Sequence, residues 1–270
     1  MLCFPNCKIN IGLYVTSRRD DGYHDIETVF YPIHQCDVLE AVPAVETKLH
    51  LSGLAVAGNY TDNLVWKAYQ LLKTGFPGKI PPLDIYLHKA IPMGAGLGGG
   101  SADGAFMLSL LNNQFDLGLN MQQLASLALQ LGSDCPFFIH NKPQFATGRG
   151  EQLSDIPIDL SGYSIQLVCP YVYVSTAKAF SLLTPKPAAY DLRQLNRLPI
   201  EEWKTHISND FEIAVFQQHP ELGTIQEQLY EQGALYASMS GSGSAIYGIF
   251  PKKQKADIKP GILCDIYYLD

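Results

Sequence analysis

The glycine-rich segment at residues 92–104, PMGAGLGGGSADG, constrains this 270-residue chain more than any other feature. It holds six glycines and lies between a predicted strand at residues 83–88 and a predicted apolar helix at residues 101–111. Glycine has no Cβ atom, so its backbone can adopt positive φ angles and approach a ligand closely. The helix that follows points its first N–H groups and the positive end of its dipole at the segment. The arrangement predicts a binding site for a diphosphate or triphosphate.

Several other uses of glycine have to be weighed against a phosphate site. A flexible linker or a structural turn is one, but linkers seldom separate a strand from an apolar helix. The Walker loop needs Lys before Ser or Thr, and Gly100 precedes Ser101 here. Gly94, Gly96 and Gly99 satisfy the GxGxxG pattern of dinucleotide-binding folds, but no convincing βαβ unit surrounds them. The glycine loop of protein kinases requires HRD and DFG segments, which the sequence lacks.

Composition limits the classes of partner. A net charge of -7 argues against broad neutralisation of nucleic-acid phosphates, although one positive pocket could still bind a nucleotide. The six cysteines form no CxxC pair, which favours reduced thiols in a cytosolic protein. No stretch approaches the ~20 apolar residues that a membrane-spanning helix needs. We expect a cytoplasmic protein without nucleic-acid or membrane partners.

Helix and strand patterns are mixed along the chain without regular βαβ repetition, which predicts an α+β fold. A boundary at about residues 150–162 divides the chain into predicted domains at residues 1–152 and 153–270. Beside the elements that flank the glycines, the patterns predict a helix from Asp62 or Asn63 to Gly75, a helix at residues 120–131, a strand at residues 165–168, two helices within residues 209–232, and strands at residues 234–239 and 244–250.

An alternating pattern near the N-terminus, at residues 7–15, predicts a half-buried strand. Apolar residues occupy its odd positions, and Lys8, Asn10, Gly12 and Tyr14 occupy the even ones. Lys8 and Asn10 are therefore expected side by side on the polar face. A lone lysine on a strand is usually solvated, so the pattern alone does not assign it a role.

The glycine-rich segment and five further ordered segments resemble motifs of the GHMP kinases, the galactose, homoserine, mevalonate and phosphomevalonate kinases. The glycine-rich segment resembles the second family motif, and residues 5–11, PNCKINI, resemble the opening P-A-K-[IL]-N motif. The resemblance covers about residues 5–250, with Gly104 where alanine is usual and with Ser240 and Ser242 where threonine is common. Further similar segments are RRDDGYH at 18–24, GSDCPFF at 132–138, TGRGE at 147–151 and MSGSG at 239–243.

The resemblance implies a two-lobed fold with a deep cleft between the lobes and an ATP-dependent small-molecule kinase. The N-terminal domain would bind ATP and the C-terminal domain would lie on the substrate side. Asp134 would be the general base, with Lys8 against it and against the acceptor oxygen. Ser101 would help to hold Mg²⁺ through its hydroxyl group. On the residues alone, Asp134 before Cys135-Pro136 is more often a cap or a turn residue.

The segment at residues 18–24 resembles the branch of the family whose small-molecule substrate carries a cytidine diphosphate group. A tyrosine ring and an imidazole can stack on a pyrimidine and bond its edge, although a Tyr-His turn packed on the surface is also possible. By resemblance, ATP is contacted by Asn63, Lys89, Pro92, Met93, Gly94, Ala95, Gly96, Leu97, Gly98, Gly99, Gly100, Ser101 and Ala102. By resemblance, the acceptor and its cytidine group are contacted by Asn10, Tyr23, His24, Thr176, Lys178 and Phe180.

Two alternatives remain at this stage. Another GHMP kinase, acting on mevalonate or homoserine, would carry the same glycine-rich segment, but the segment at residues 18–24 argues against it. A catalytically silent nucleotide-binding protein would also carry it, but the presence of Lys8 and Asp134 argues against that alternative.

Overall fold

Twelve β-strands and eight α-helices lie within residues 1–56 and 58–270, which the computed structural model describes, and they confirm the predicted α+β class. In the same part of the chain, none of the helices combines the length and the apolar character needed to cross a bilayer. The strands are β1 (Leu2–Cys3), β2 (Asn6–Arg18), β3 (His24–Cys36), β4 (Val38–Pro43), β5 (Lys48–Gly53), β6 (Leu83–Lys89), β7 (Gln144–Thr147), β8 (Gln152–Asp155), β9 (Tyr163–Pro170), β10 (Tyr236–Met239), β11 (Ile246–Pro251) and β12 (Cys264–Leu269). The helices are α1 (Leu64–Gly75), α2 (Gly99–Gln114), α3 (Met121–Leu131), α4 (Cys135–His140), α5 (Thr176–Ser181), α6 (Ile200–His206), α7 (Phe211–Gln218) and α8 (Pro220–Glu231), with short 3-10 helices at Tyr60–Asp62 and Leu192–Arg197.

The strands form three four-stranded sheets, with the orders β1-β4-β6-β5, β2-β3-β7-β8 and β10-β11-β9-β12. The first sheet is mixed, because β5 runs parallel to β6 while β4 is antiparallel to both of its neighbours. In the third sheet every pairing is antiparallel, from β10 through β11 and β9 to β12. Such mixed and antiparallel sheets differ from the parallel sheet of a doubly wound fold.

Tertiary contacts group the chain into two compact units, each built from segments that are distant in sequence. Unit 1 contains Met1–Cys7, His34–Met93 and Gly98–Lys142. Unit 2 contains Lys8–Ile33, Gly94–Leu97 and Pro143–Asp270. Each unit therefore includes a part of the glycine-rich segment. The predicted sequence domains at residues 1–152 and 153–270 stay a prediction.

In unit 1 the helices begin where their caps predict. The side chain of Asn63 accepts a hydrogen bond from the N–H group of Val65 at 2.9 Å and starts α1. Asn120 and Gln123 form a reciprocal capping box, with both bonds at 2.9 Å, and start α3. Gly132 follows the last residue of α3. These helices confirm the start and stop signals in the sequence.

In unit 2 the strand β2 is buried on both faces, so the prediction of a half-buried strand was wrong. Its apolar face joins a core that includes Leu13 and Val15. On the polar face, Lys8 and Asn10 are only 3% and 2% exposed, and Tyr14 is fully buried. The polar side chains are buried because they form hydrogen bonds inside the unit rather than with water. Alternation in a sequence separates two faces but does not show which face meets solvent.

The capping box predicts a measurable share of the stability of α3. Replacing Asn120 with Ala should lower the free energy of unfolding by about 1 kcal/mol, because the N–H group of Gln123 loses its side-chain acceptor. Urea unfolding measures the change. Gln122→Ala, at an exposed position of the same turn, is the matched control and should change stability by less than ~0.5 kcal/mol. Equal losses in the two variants would contradict the role of the box.

Candidate functional site

The glycine-rich segment has the backbone conformation of an anion site. Gly94, Gly96 and Gly98 have φ angles of 69°, 80° and 70°, in the left-handed region that favours glycine. The first N–H bond into α2 runs from Ala102 to the carbonyl of Gly98, at 2.9 Å. The amides of residues 99–101 therefore precede the helical ladder and point out of the positive end of a 16-residue helix.

The segment offers backbone groups rather than side chains to a ligand. The side chains of Ala95, Leu97 and Ala102 are 5%, 1% and 0% exposed and belong to the core. Met93 is half exposed at 49%. Amide N–H groups and the Ser101 hydroxyl are thus the donors that this segment contributes to phosphate oxygens.

Residues Gly94–Leu97 are held in unit 2 by backbone hydrogen bonds on both sides of Gly96. The N–H group of Ala245 donates to the carbonyl before Gly96 at 3.1 Å, and that of Lys8 donates to the carbonyl after it at 3.0 Å. A Cβ atom on Gly96 would lie 1.9 Å from the carbonyl oxygen of Ser240. Only glycine allows this approach of two backbones.

Lys8 projects from β2 into this arrangement. Its Nζ donates to the carbonyl of Gly96 at 2.8 Å and to Oδ1 of Asn10 at 2.5 Å. The same ammonium lies 5.1 Å from the centroid of the Phe30 ring, a cation–π distance. These contacts fix the direction of a buried positive charge. A fixed ammonium can stabilise a developing alkoxide without reorganising.

Asn10 lies beside Lys8 and forms hydrogen bonds with several other residues of unit 2. Its Nδ2 donates to Thr28 at 3.0 Å, its backbone N–H donates to the Ser240 hydroxyl at 3.3 Å, and its carbonyl accepts from the Tyr247 hydroxyl at 2.7 Å. Both side-chain atoms of Asn10 are therefore engaged inside the protein, which gives it a role in orienting Lys8. Its predicted contact with the acceptor stays a prediction.

Asp134 stands in unit 1 at the start of the short helix α4. The carbonyl of Gly132 accepts from the N–H group of Cys135 at 3.2 Å, which closes the turn around Asp134. The carboxylate makes no cap hydrogen bond to α4. Because Pro136 follows at the first turn of the helix, the backbone at this point is stiff. The carboxylate is thus presented on a rigid turn at a half-buried position.

Ser101 lies next to this turn within unit 1. The thiol of Cys135 is fully buried, and burial raises its pKa to about 12, while a hydrogen bond with Ser101 acts in the opposite direction. Cys135 is therefore a neutral thiol near pH 7. Since Cys135 adjoins Asp134 in the chain, the hydroxyl at the start of α2 and the candidate base belong to one neighbourhood.

The residues at this point suit a metal that the nucleotide itself carries. Within residues 1–56 and 58–270, no group of three or more His, Cys, Asp or Glu side chains is arranged to hold an ion. Mg²⁺ is usually bound by one or two protein oxygens together with phosphates and water. The Ser101 hydroxyl fits that chemistry as one protein oxygen for the ion.

Lys89 lies in the interior of unit 1, which differs from the adenine contact implied by the resemblance. Its Nζ, 1% exposed, donates to Asp103 at 2.7 Å and also to Asp37. Asp37 in turn accepts from the N–H groups of Ala90 and Ile91 at 2.6 and 2.8 Å. An ammonium beside two buried carboxyl groups has a structural role, and a contact of Lys89 with adenine stays a prediction.

The buried group of Lys89, Asp37 and Asp103 contains two carboxyl groups and one ammonium group. Burial raises the pKa of Asp103 above its ordinary value, and the neighbouring Asp37 raises it further, while Lys89 acts in the opposite direction. The Oδ1 atom of Asp103 has no hydrogen-bond partner in the described structure. Asp103 lies in the first turns of α2, so the group ties the start of that helix to the end of β6.

Asn63, the other predicted adenine neighbour, is the N-cap of α1. Its Oδ1 is occupied by the N–H group of Val65 at 2.9 Å. The cap explains this residue structurally, and a contact with adenine stays a prediction.

Two of the predicted substrate residues, His24 and Phe180, contact each other in unit 2. The rings of His24 and Phe180 stack with centroids 4.8 Å apart and planes 14° apart. Tyr23 is 58% exposed, and the guanidinium of Arg149 lies 5.0 Å from its ring centroid. Arg149 belongs to the TGRGE segment, so two sequence motifs meet here. The cluster offers planar aromatic surfaces to a ligand.

Two further predicted residues lie on α5. The hydroxyls of Thr176 and Ser242 share a hydrogen bond at 2.9 Å, which joins the start of α5 to the MSGSG segment. Lys178 follows in the same turn, where its N–H group bonds the Ser175 hydroxyl at 3.4 Å. Substrate contacts of both residues stay predictions.

Sequence reasoning missed the residues that hold the MSGSG segment in place. Asn209 donates to the carbonyls of Met239 and Gly241, both at 2.8 Å. Glu212 accepts from the N–H group of Met239 and from the Ser238 hydroxyl, both at 2.8 Å. An asparagine two residues before a helix is usually a cap, so the sequence pattern carried no signal for this second role.

Two family models match parts of the chain. Residues 63–142 match the GHMP kinases N terminal domain, and residues 192–268 match the GHMP kinases C terminal domain. The chain belongs to the GHMP kinase family. Kinases of this family take a phosphoryl group from ATP. The predicted resemblance is confirmed.

Within the family, several relatives of high sequence identity are kinases named for one substrate. The chain is 51% identical over 252 residues to the 4-diphosphocytidyl-2-C-methyl-D-erythritol kinase of Parabacteroides distasonis, covering 93% of this chain and 92% of that protein. A crystal structure of 4-(cytidine 5'-diphospho)-2C-methyl-D-erythritol kinase is 32% identical, with a TM-score of 0.74 and coverage of 92% and 90%. Methanococcus jannaschii mevalonate kinase has a TM-score of 0.72 at 12% identity, covering 99% and 97%, and shares the fold alone.

The contact between Gly96 and Ser240 predicts a difference between two glycines. In Gly96→Ala, the new Cβ collides with a backbone carbonyl and the φ angle is strained, so the free energy of unfolding should fall by at least about 3 kcal/mol. Gly94→Ala has a similar φ angle but, in the described structure, no atom within 4 Å of the added Cβ. It should lose about 1–2 kcal/mol. Urea unfolding compares the variants, and equal losses would refute the close approach.

The raised pKa of Asp103 predicts stability that falls as the pH rises. Below the ordinary carboxyl pKa of about 4, folded and unfolded chains both hold this proton and its contribution is complete. As the pH rises through the raised folded pKa, that contribution is lost, by up to about 1.4 kcal/mol per pH unit. Unfolding in urea at successive pH values measures the slope. Asp103→Asn keeps the pair of Lys89 and Asp37 but cannot titrate, so an unchanged slope would count against this assignment.

Proposed function

We propose that this chain transfers the γ-phosphoryl group of ATP to the 2-hydroxyl group of 4-(cytidine 5′-diphospho)-2-C-methyl-D-erythritol, a step of the non-mevalonate route to isoprenoid precursors. The observation that carries the proposal is the sequence identity of 51%, over 93% of the chain, with a kinase named for this substrate. The aromatic cluster supports it, because the stacked rings of His24 and Phe180 and the exposed ring of Tyr23 suit a pyrimidine.

The phosphoryl donor is held by backbone groups. Amides of the glycine-rich segment bind the phosphates at the positive end of α2, and the Ser101 hydroxyl joins them. The Ser101 hydroxyl would help to hold a nucleotide-bound Mg²⁺, which would offset negative charge on the transferred group.

The acceptor hydroxyl is activated by a carboxylate and a cation. Asp134 orients the hydroxyl and takes its proton as the oxygen attacks phosphorus. Lys8 offsets negative charge on that oxygen, since Gly96 and Asn10 hold its ammonium in a fixed direction. The proton thus leaves on a side chain, and ADP leaves as the other product.

The cytidine group is recognised in unit 2. A cytosine ring stacks on the aromatic surface of the cluster, and an imidazole can bond the edge of the base. Thr176 and Lys178 contribute polar contacts from α5. A mevalonate or homoserine substrate has no ring to occupy such a surface, so the cluster favours the cytidine compound over those acceptors.

The protein is proposed to act in the cytoplasm. Cys3, Cys36, Cys169 and Cys264 are free thiols in the structure. Burial raises the pKa of Cys169 to about 12, so this thiol is neutral and unreactive near pH 7. A reducing compartment is consistent with these residues.

An ADP-release assay with the cytidine compound tests the proposed function. Wild-type protein should turn it over, and Asp134→Asn should lower kcat at least about a hundredfold, because the amide cannot accept the proton. Binding of a non-hydrolysable ATP analogue should persist in the variant. ADP release with mevalonate or homoserine but not with the cytidine compound would overturn the assigned substrate.

A matched control separates the chemistry from a local change in charge. Asp191 also precedes a short helix, Leu192–Arg197, where its carboxylate accepts from the N–H group of Arg193. Asp191→Asn should retain wild-type kcat within about twofold. If Asp134→Asn also retained near-normal turnover, Asp134 would lose its role as the base.

A further inference from the structure

Asn209 is a buried residue whose side chain is fully used in hydrogen bonds. Its exposure is 3%. The Oδ1 atom accepts from the N–H group of Phe211 at 3.0 Å, which is the ordinary bond of a residue near a helix start. The Nδ2 atom donates to the carbonyls of Met239 and Gly241, both at 2.8 Å. One amide therefore bridges the carbonyl groups of the two residues that flank Ser240.

The backbone of Asn209 is itself fixed to the strand that carries Lys8. The N–H group of Leu13 donates to the carbonyl of Ser208 at 3.0 Å, and the N–H group of Asp210 donates to the carbonyl of Leu13 at 2.8 Å. These bonds attach the residues on both sides of Asn209 to β2. Asn209 is thus a rigid link between β2 and the MSGSG segment.

From Ser240 the contacts lead to the ammonium of Lys8. The Ser240 hydroxyl donates to the carbonyl of Gly96 at 2.9 Å. Lys8 donates to the same oxygen at 2.8 Å. The position of this one carbonyl therefore depends on Ser240, and the direction of the ammonium depends on the carbonyl.

We propose that Asn209 is a positioning residue for phosphoryl transfer, which acts by fixing Ser240 and, through the carbonyl of Gly96, the ammonium of Lys8. The inference rests on the proposed function, because it assigns Lys8 to the reacting oxygen. A displacement of about 1 Å in a positioned group can cost as much as a hundredfold in rate. Asn209 touches no reacting atom and sets this distance indirectly.

A serine at position 209 separates the positioning role from helix capping. Serine caps a helix well, so Asn209→Ser retains a bond partner for the N–H group of Phe211. Its single hydroxyl cannot bridge the carbonyls of Met239 and Gly241. Steady-state ADP release should show kcat lowered by about tenfold or more, with KM for the cytidine compound changed less than about threefold.

Asn112→Ala is the matched control. Asn112 also ties a loop with its side-chain amide, bonding the carbonyl and the N–H group of Leu119 at 3.2 and 2.9 Å. It lies in unit 1 on α2, away from the MSGSG segment in the sequence. The control variant should lose stability in urea yet keep kcat within about twofold.

A double-mutant cycle tests the route through Ser240. Ser240→Ala removes the hydroxyl that bonds Gly96, so adding Asn209→Ser to it should lower kcat by less than about twofold more. A residue that only supports the fold would multiply its effect in both backgrounds. Full multiplication of the two factors, or a kcat of Asn209→Ser within about twofold of wild type, overturns the proposal.

Failure of the role inferred for Asn209 can be distinguished from failure of the proposed function. If wild-type protein releases ADP with mevalonate or homoserine and not with the cytidine compound, the substrate assignment fails. The same cycle is then run with the acceptor that is turned over, and Asn209→Ser must still lower kcat. If no acceptor is turned over, affinity for a non-hydrolysable ATP analogue decides. It should fall at least about threefold in Asn209→Ser, since Gly96 belongs to the phosphate segment, and an unchanged affinity overturns the role.

Discussion

The approach of the Gly96 backbone to Ser240 is the constraint on which the rest of the site depends. There is no room for a Cβ atom at Gly96, so two backbone segments distant in sequence touch directly. This contact exposes one carbonyl oxygen to both Lys8 and Ser240. The same few residues therefore shape the glycine-rich segment and fix the direction of the Lys8 ammonium. A single side chain at this point would disturb both.

Two buried lysines differ in their surroundings. Lys89 faces the carboxyl groups of Asp37 and Asp103, which fix its position at the start of α2. Lys8 donates to the carbonyl of Gly96 and to Oδ1 of Asn10, and these contacts fix the direction of its ammonium. The role proposed for Lys8 at the acceptor oxygen depends on that direction, since a fixed cation can stabilise developing negative charge. The pattern of residues alone does not separate the two lysines.

The sequence predicted the elements whose signals are local. The helix start at Asp62 or Asn63, the helix at residues 120–131 and the glycine-rich turn all depend on a few adjacent residues, and the structure has each of them. Burial of the polar face of β2 could not be predicted, because it results from bonds to residues some 230 positions away. The second role of Asn209 was hidden for the same reason, since its amide bonds reach the carbonyls of a distant loop.

The separation between Asn10 and Ser240 also governs how this protein comes into being. Their hydrogen bond joins positions 230 residues apart, and the Tyr247 hydroxyl adds another bond to the same strand. During synthesis the N-terminal strand of unit 2 leaves the ribosome long before its partners exist. Loop closure over such a distance is slow and comes late in folding. The nascent chain therefore fixes the surroundings of Lys8 only after Ser240 and Tyr247 have been synthesised, and a fragment that ends before them cannot possess this arrangement.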